Sequence, residues 1–357
     1  MRLLLLGLPF LFLTTAIAGQ SFDFLVDSRS RAFELFVILF LTSPHGIFTI
    51  PLIGLPEIRA MIQERTGGQP AKFWLPVAGI FALGLVMYTL AQESMPAGQG
   101  VTVLAQLAIE LIAYEHGIKQ ILGLCLIYNS RLRREGNVDQ KTLADLVRSE
   151  KRERLLLAVF GPTYLLFRTF DLMRFLEPGS RWSEIVSTAF LVPKTATILL
   201  GAAIFVNVLL MTRKTRDWEK LFYIGRISLF VGAASGLPDS FMNGSLLAAH
   251  ATEYLGVYGT LQGNSKTPMT RKTLLFATGI MLSAVLIAFA WLNHKIVPDS
   301  MLGLSIAPWL PVLHAFAAIE GGIAFMHYYL DRQFFRARYG AVRDHVMPLF
   351  ATIKKAA

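Results

Sequence analysis

Runs of about 20 apolar residues recur along most of this chain, and an α-helix needs a run of that length to cross the roughly 30 Å hydrocarbon core of a bilayer. They fall near 33–55, 73–92, 101–128, 155–174, 186–211, 221–237, 240–262, 273–293 and 301–329, and only the Leu237-Pro238-Asp239 break divides the sixth from the seventh. At 357 residues, two or more soluble domains would be the ordinary expectation. Charged residues, however, make up only 16% of the chain, against roughly 25% in a soluble domain. The pattern predicts an all-α polytopic integral membrane bundle of eight or nine transmembrane helices.

The first 19 residues carry one basic residue (Arg2), an apolar run from Leu3 to Thr14 and a small-x-small ending at Ala16-Ile17-Ala18. That is the grammar of a secretory signal, or of an uncleaved anchor with the same direction, and it places residues 20–32 outside the cytoplasm. Residues 20–338 then read as one transmembrane domain and 339–357 as a tail.

The net charge of +10 has an orderly distribution. Connector 129–154 holds Arg131, Arg133, Arg134, Lys141, Arg148, Lys151, Arg152 and Arg154, whereas 92–100 has no Lys or Arg. By the positive-inside rule the first is cytoplasmic and the second external. Arg213-Lys214, Lys266 with Arg271-Lys272, and the Arg-rich tail also fall on the cytoplasmic side when nine spans are counted in order, which makes the C-terminus cytoplasmic. Within the connector, residues 139–154 alternate charges around Leu143, Leu146 and Val147 and suit an amphipathic helix on the membrane surface. Mixed charges without interleaved aromatics do not form a phosphate track, so nucleic acid is not an expected partner; membrane lipids are. The lone Cys125 excludes an intrachain disulfide framework and a Cys-rich metal site. Glycine-rich phosphate loops are absent.

Five of the seven histidines, His45, His116, His250, His314 and His327, lie within apolar spans, where an ionisable group is costly and calls for a polar partner. His45 is 12 residues before Glu57, His116 is 13 before Asn129, His250 is 12 before Gln262 and His327 is 9 before Arg336. At about 1.5 Å per residue these are similar depths, roughly 14 to 20 Å from the basic edge, on four spans that run the same way. His314 falls higher on its helix. Each of the four has polar company one helical turn later: Thr49, Gln120, Glu253 with Tyr254, and Asp331. Thr49 and Gln120 are thus candidate outer hydrogen-bond partners, and Glu253, Tyr254 and Asp331 are candidates for the reacting centre, since carboxylates can also bind a metal directly. Glu320, seven before His327 and on nearly its face, joins the outer set. A thiolate-free imidazole set suits iron, zinc or copper. Iron is favoured, because a lipid-phase site with neutral imidazoles is well placed to activate dioxygen. Buried polar residues that merely lock helices together are the competing explanation. Elsewhere, Arg168 and Asp171, three apart, are positioned to pair, and Lys194 and Arg226 are further charges within spans.

At these residues the chain resembles the membrane-embedded Brp/Blh-type carotene oxygenases. Ser43-Pro44-His45-Gly46 is similar to that family's Pro-His-Gly element, and Tyr114-Glu115-His116-Gly117 to its second histidine element. His250-Ala251-Thr252-Glu253-Tyr254 and His327-Tyr328-Tyr329-Leu330-Asp331-Arg332 resemble elements of related bacterial membrane proteins. The chain departs where the family's first element continues to an Asp, here Thr49, and where a second paired histidine is expected, here Tyr254. The resemblance implies non-haem iron held by His45, His116, His250 and His327, with His327 supplying the ligand that Tyr254 does not. It also implies a hydrophobic substrate, a carotenoid, other isoprenoid or lipid, and residence in a bacterial inner membrane. A proton- or metal-ion-coupled transporter using the same histidines, with Glu320, Asp331 and Lys194, is the alternative, and a b-type haem protein fits a single layer of histidines less well.

Overall fold

The computed structural model describes residues 2–21, 46, 49–91, 99–134, 139–176, 181–215, 220–221, 224–237, 239–265, 310–334, 340–346 and 348. His45, His294, the span 273–293, most of the first span and most of the C-terminal tail lie outside the described residues. Every element is helical: α1 Arg2–Ser21, α2 Thr49–Leu52, α3 Pro56–Thr66, α4 Ala71–Leu90, α5 Gln99–Arg134, α6 Gln140–Leu176, α7 Arg181–Ala189, α8 Leu191–Thr215, α9 Gly225–Ala234, α10 Asp239–Asn264 and α11 Leu310–Phe334, with a π-helical turn at Val342–Val346. No strand occurs among the described residues.

Among the described residues two stretches are long and apolar enough to cross a membrane, Ala71–Leu90 and Glu184–Thr215, while Pro9–Ala18 and Gly225–Ala234 are shorter apolar helices. The first exposes Leu75 at 71% and the second Val192 at 72%, so neither is the sequestered core helix of a soluble protein. The all-α class holds, but two such stretches do not confirm a bundle of eight or nine spans. Helices α5, α6, α10 and α11 carry the histidines, carboxylates and arginines of interest, and these polar insertions dilute their hydropathy.

Three expected boundaries change. Residues 140–154 are not a separate surface helix but the first part of α6, which continues to Leu176. No Gly or Pro occurs between Gln140 and Phe160, so nothing interrupts propagation. The expected first span ends at Leu52: Gly54 and Leu55 donate backbone bonds to Pro51 and Leu52, and Pro56 then opens α3. Depth counted along one straight helix from His45 to Glu57 therefore does not hold. The span 186–211 is divided by a one-residue turn at Phe190.

The chain separates into two compact units, 1–34 with 110–250 and 35–109 with 251–357. The divisions at 109/110 and 250/251 fall inside helices, α5 and α10. In the first unit, α6 packs on α8 and α1 on α9, and Phe160 and Tyr164 of α6 centre the core with Phe230 of α9. The Tyr164 and Phe230 rings meet edge-on at 4.6 Å. Arg168 Nη1 donates to Asp171 Oδ2 at 2.8 Å, the pairing that their spacing predicts. In the second unit α4 packs along α11. A Cβ on Gly84 would lie 2.7 Å from the Gly321 carbonyl oxygen and 2.8 Å from Phe325 Cβ. The two helices thus approach closely where small residues face each other.

Candidate functional site

In the first unit the site gathers around His250 of α10. Its ring meets that of His116, on α5, edge-on with centroids 5.0 Å apart. Arg226 of α9 is 1% exposed, with Nη2 donating to the Gly117 carbonyl at 3.1 Å and Nη1 to Gln120 Oε1 at 3.2 Å. His250 Nδ1 also contacts Gln120 Oε1. These contacts fix the proton positions. A guanidinium only donates, so the amide oxygen of Gln120 must face Arg226. The same oxygen then accepts from Nδ1–H of His250, and the lone pair of that imidazole is left on Nε2. The 3.4 Å separation of Arg226 Nη1 from His250 Nδ1 reflects two donors sharing one acceptor.

In the second unit the equivalent centre is His327 of α11, fully buried. Thr49 Oγ1 of α2 lies 2.5 Å from His327 Nδ1 and 2.7 Å from the Tyr254 hydroxyl. Asp331 Oδ1 is 3.6 Å from the same Nδ1, and a carboxylate on that side favours a proton there. Nε2 again keeps the lone pair. The Tyr254 and His327 rings stand edge-on at 4.8 Å. Gly46, beside the expected ligand His45, packs on this helix, where an added Cβ would lie 3.8 Å from His327 Cβ.

Gln120 and Thr49 each contact a histidine far along the chain: Gln120 Oε1 meets His250 and Thr49 Oγ1 meets His327. A side chain one turn away points along the same face and reaches the neighbouring helix before it reaches back. Glu253, Tyr254 and Asp331 are all buried, as expected. Glu320 is half-buried on α11. Glu115, within the second histidine element, instead turns to the surface, 47% exposed and paired with Lys119. Lys194 sits over the Phe190 ring at 5.6 Å. Arg226 is the member that spacing does not reveal; its only signal is a lone charge in an apolar span.

Three of the described histidines, His116, His250 and His327, could bind a metal ion. The donor set fits one by its chemistry: three imidazoles, of which His250 and His327 already have Nδ1 engaged, buried carboxylates at Glu253 and Asp331, and no thiolate, which suits iron, zinc or copper. The sole cysteine, Cys125, is buried in the core of the first unit. No family model, no curated protein and no solved structure matches this chain.

Proposed function

We propose that the chain is an integral membrane metalloenzyme, a non-haem iron oxygenase acting on a carotenoid, other isoprenoid or lipid. The observation that carries this reading is the parallel treatment of His250 and His327. Each has Nδ1 engaged by an oxygen from another helix, Gln120 Oε1 or Thr49 Oγ1, which turns Nε2 into the remaining ring donor. In this reading His116, His250 and His327 hold the metal and His45 completes the set.

Iron, when bound, supplies the activation of dioxygen. The residues do the rest. Gln120 and Thr49 fix ring orientation and tautomer. Arg226 adds a positive charge beside His250, so a divalent cation needs anionic compensation, and Glu253 and Asp331 are the buried carboxylates on the ligand-bearing helices that offer it. Tyr254, hydrogen-bonded to Thr49, is placed to hold or pass a proton at its hydroxyl. Apolar helix surfaces admit a hydrophobic substrate laterally.

The test is metal content after purification in detergent. Roughly one iron per chain, lost in His116→Ala and His250→Ala while both variants stay folded, supports the reading. A folded wild-type protein that retains and takes up no metal sinks it, and ion flux into proteoliposomes without product would favour the transporter.

A further inference from the structure

Helix α3 spans 11 residues, about 16 Å, too short to cross a bilayer, and it precedes the apolar span α4 by a tight turn. Gly67 and Gly68, with φ of +59° and +75°, make that turn, a conformation that side chains with a Cβ rarely adopt. On its inner face α3 buries Ile58 and Met61 in the core of the second unit. Arg59, Ile62, Gln63 and Thr66, at helical spacing on another face, line a cavity of about 520 Å³ that Phe73 and Trp74 of α4 close from the other side.

We propose that this cavity binds an anionic phospholipid of the cytoplasmic leaflet. The lining divides as such a molecule does. Arg59 is exposed, makes no ion pair among the described residues, and presents a guanidinium beside the Gln63 amide, a set of donors for a phosphodiester. Ile62, Phe73 and Trp74 continue from there onto the start of a span whose neighbouring Leu75 is 71% exposed, a path for an acyl chain. Trp74, 49% exposed at the start of this apolar span, is of the residue type that concentrates at the headgroup level. The first backbone N–H groups of α4 do not contribute, because Lys72, Phe73 and Trp74 donate to Gln69 and Pro70 carbonyls. One exposed arginine holds free phosphate weakly in water, whereas the apolar half of the cavity rewards a ligand that carries its own chain. The inference rests on the membrane residence proposed above and on the cytoplasmic side expected for this connector, and is independent of the metal.

The full-length protein is reconstituted in nanodiscs, and retention of phosphatidylglycerol is compared with phosphatidylcholine of the same acyl chains by native mass spectrometry. Wild type retains the anionic lipid roughly fivefold over the zwitterionic one, the selectivity of one basic residue near the surface. Arg59→Glu abolishes the preference, Trp74→Ala lowers retention of both lipids, and Arg148→Glu, the same charge change on the other unit, leaves the preference intact. An unchanged preference in Arg59→Glu overturns the proposal, as does equal retention of the two lipids by wild type. Displacement of phosphatidylglycerol by millimolar inorganic phosphate overturns the lipid as ligand and leaves an anion site. Arg59 is exposed, so its replacement should not unfold the chain, and an unaltered melting temperature verifies that.

Discussion

Oγ1 of Thr49 lies 2.5 Å from Nδ1 of His327, 278 positions further along the chain. One small hydroxyl thus joins a ring that could bind a metal to a buried tyrosine. Thr49→Val keeps the shape and removes the oxygen. Losing an outer partner of a metal-bound imidazole typically costs about 10- to 100-fold in metal affinity, so iron retention during dialysis should fall by that order while Thr49→Ser restores it. Unchanged retention in Thr49→Val would remove Thr49 from the site.

Gln120 Oε1 is an acceptor for both Arg226 Nη1 and His250 Nδ1, so its loss takes that acceptor from two buried donors. Gln120→Leu should cost about 1 to 3 kcal/mol, the penalty of removing the acceptor of buried donors. Adding Arg226→Met should recover part of it, because one of the two donors is gone. Thermal denaturation in detergent of the two single variants and the double variant measures the coupling; strictly additive losses would show that the shared oxygen has no energetic role.

Much of the helical layout was legible because an apolar run is a local property, and so was the Arg168–Asp171 pair, whose three-residue spacing fixes its geometry. Burial of Glu253, Tyr254 and Asp331 followed from their place beside histidines in apolar spans. What spacing could not supply is the partner on another helix. Thr49 and Gln120 each follow a histidine by four positions in the sequence, yet both hydrogen-bond histidines brought close only by tertiary packing. Two misread boundaries had local signals: Gly54-Leu55-Pro56 marks the end of α2, and the lack of Gly or Pro through Phe160 marks the continuity of α6.

Two glycines of α4 should respond with opposite sign to the same methyl group. Gly79 has nothing within 4 Å of where a Cβ would stand, whereas at Gly84 the α11 backbone is 2.7 Å away. Gly79→Ala should therefore stabilise by up to about 1 kcal/mol through helix propensity. Gly84→Ala should destabilise by about 1 to 3 kcal/mol through overpacking. Melting temperatures moving in the same direction would mean that α4 and α11 are not held at this distance.

Arg168 Nη1 donates to Asp171 Oδ2 at 2.8 Å, and both side chains are buried, Asp171 at 8% and Arg168 at 4% exposure. Asp171→Asn removes the charge that this buried guanidinium faces and should cost about 3 to 5 kcal/mol. The double replacement Arg168→Met with Asp171→Leu should cost much less, since desolvation of both charges disappears. Equal losses in the single and double variants, read from denaturation midpoints, would show that the ion pair itself and not its desolvation controls stability.

The N-terminal part of α6 should loosen in acid. Asp139 caps the helix, accepting from the Thr142 N–H at 2.6 Å, and this bond holds its carboxyl below the ordinary value of 3.8. Asp145 is held below 3.8 chiefly by the Lys214 ammonium of α8, which donates to its Oδ2 at 2.7 Å. For a carboxylate whose folded pKa is depressed, the stabilisation is fully present above the unfolded value and is lost as pH falls through the folded one. Amide protection factors across residues 140–154 should accordingly hold at neutral pH and decline below about pH 4, the ordinary carboxylate range. Asp145→Asn should reduce protection at neutral pH and shrink the acid step, leaving the part that belongs to Asp139. Because the Lys214 side chain is 55% exposed, molar salt should weaken its contact with Asp145 while sparing the cap. An acid step of undiminished size in Asp145→Asn would assign the whole transition to the cap and dismiss the Lys214 contact as the docking element.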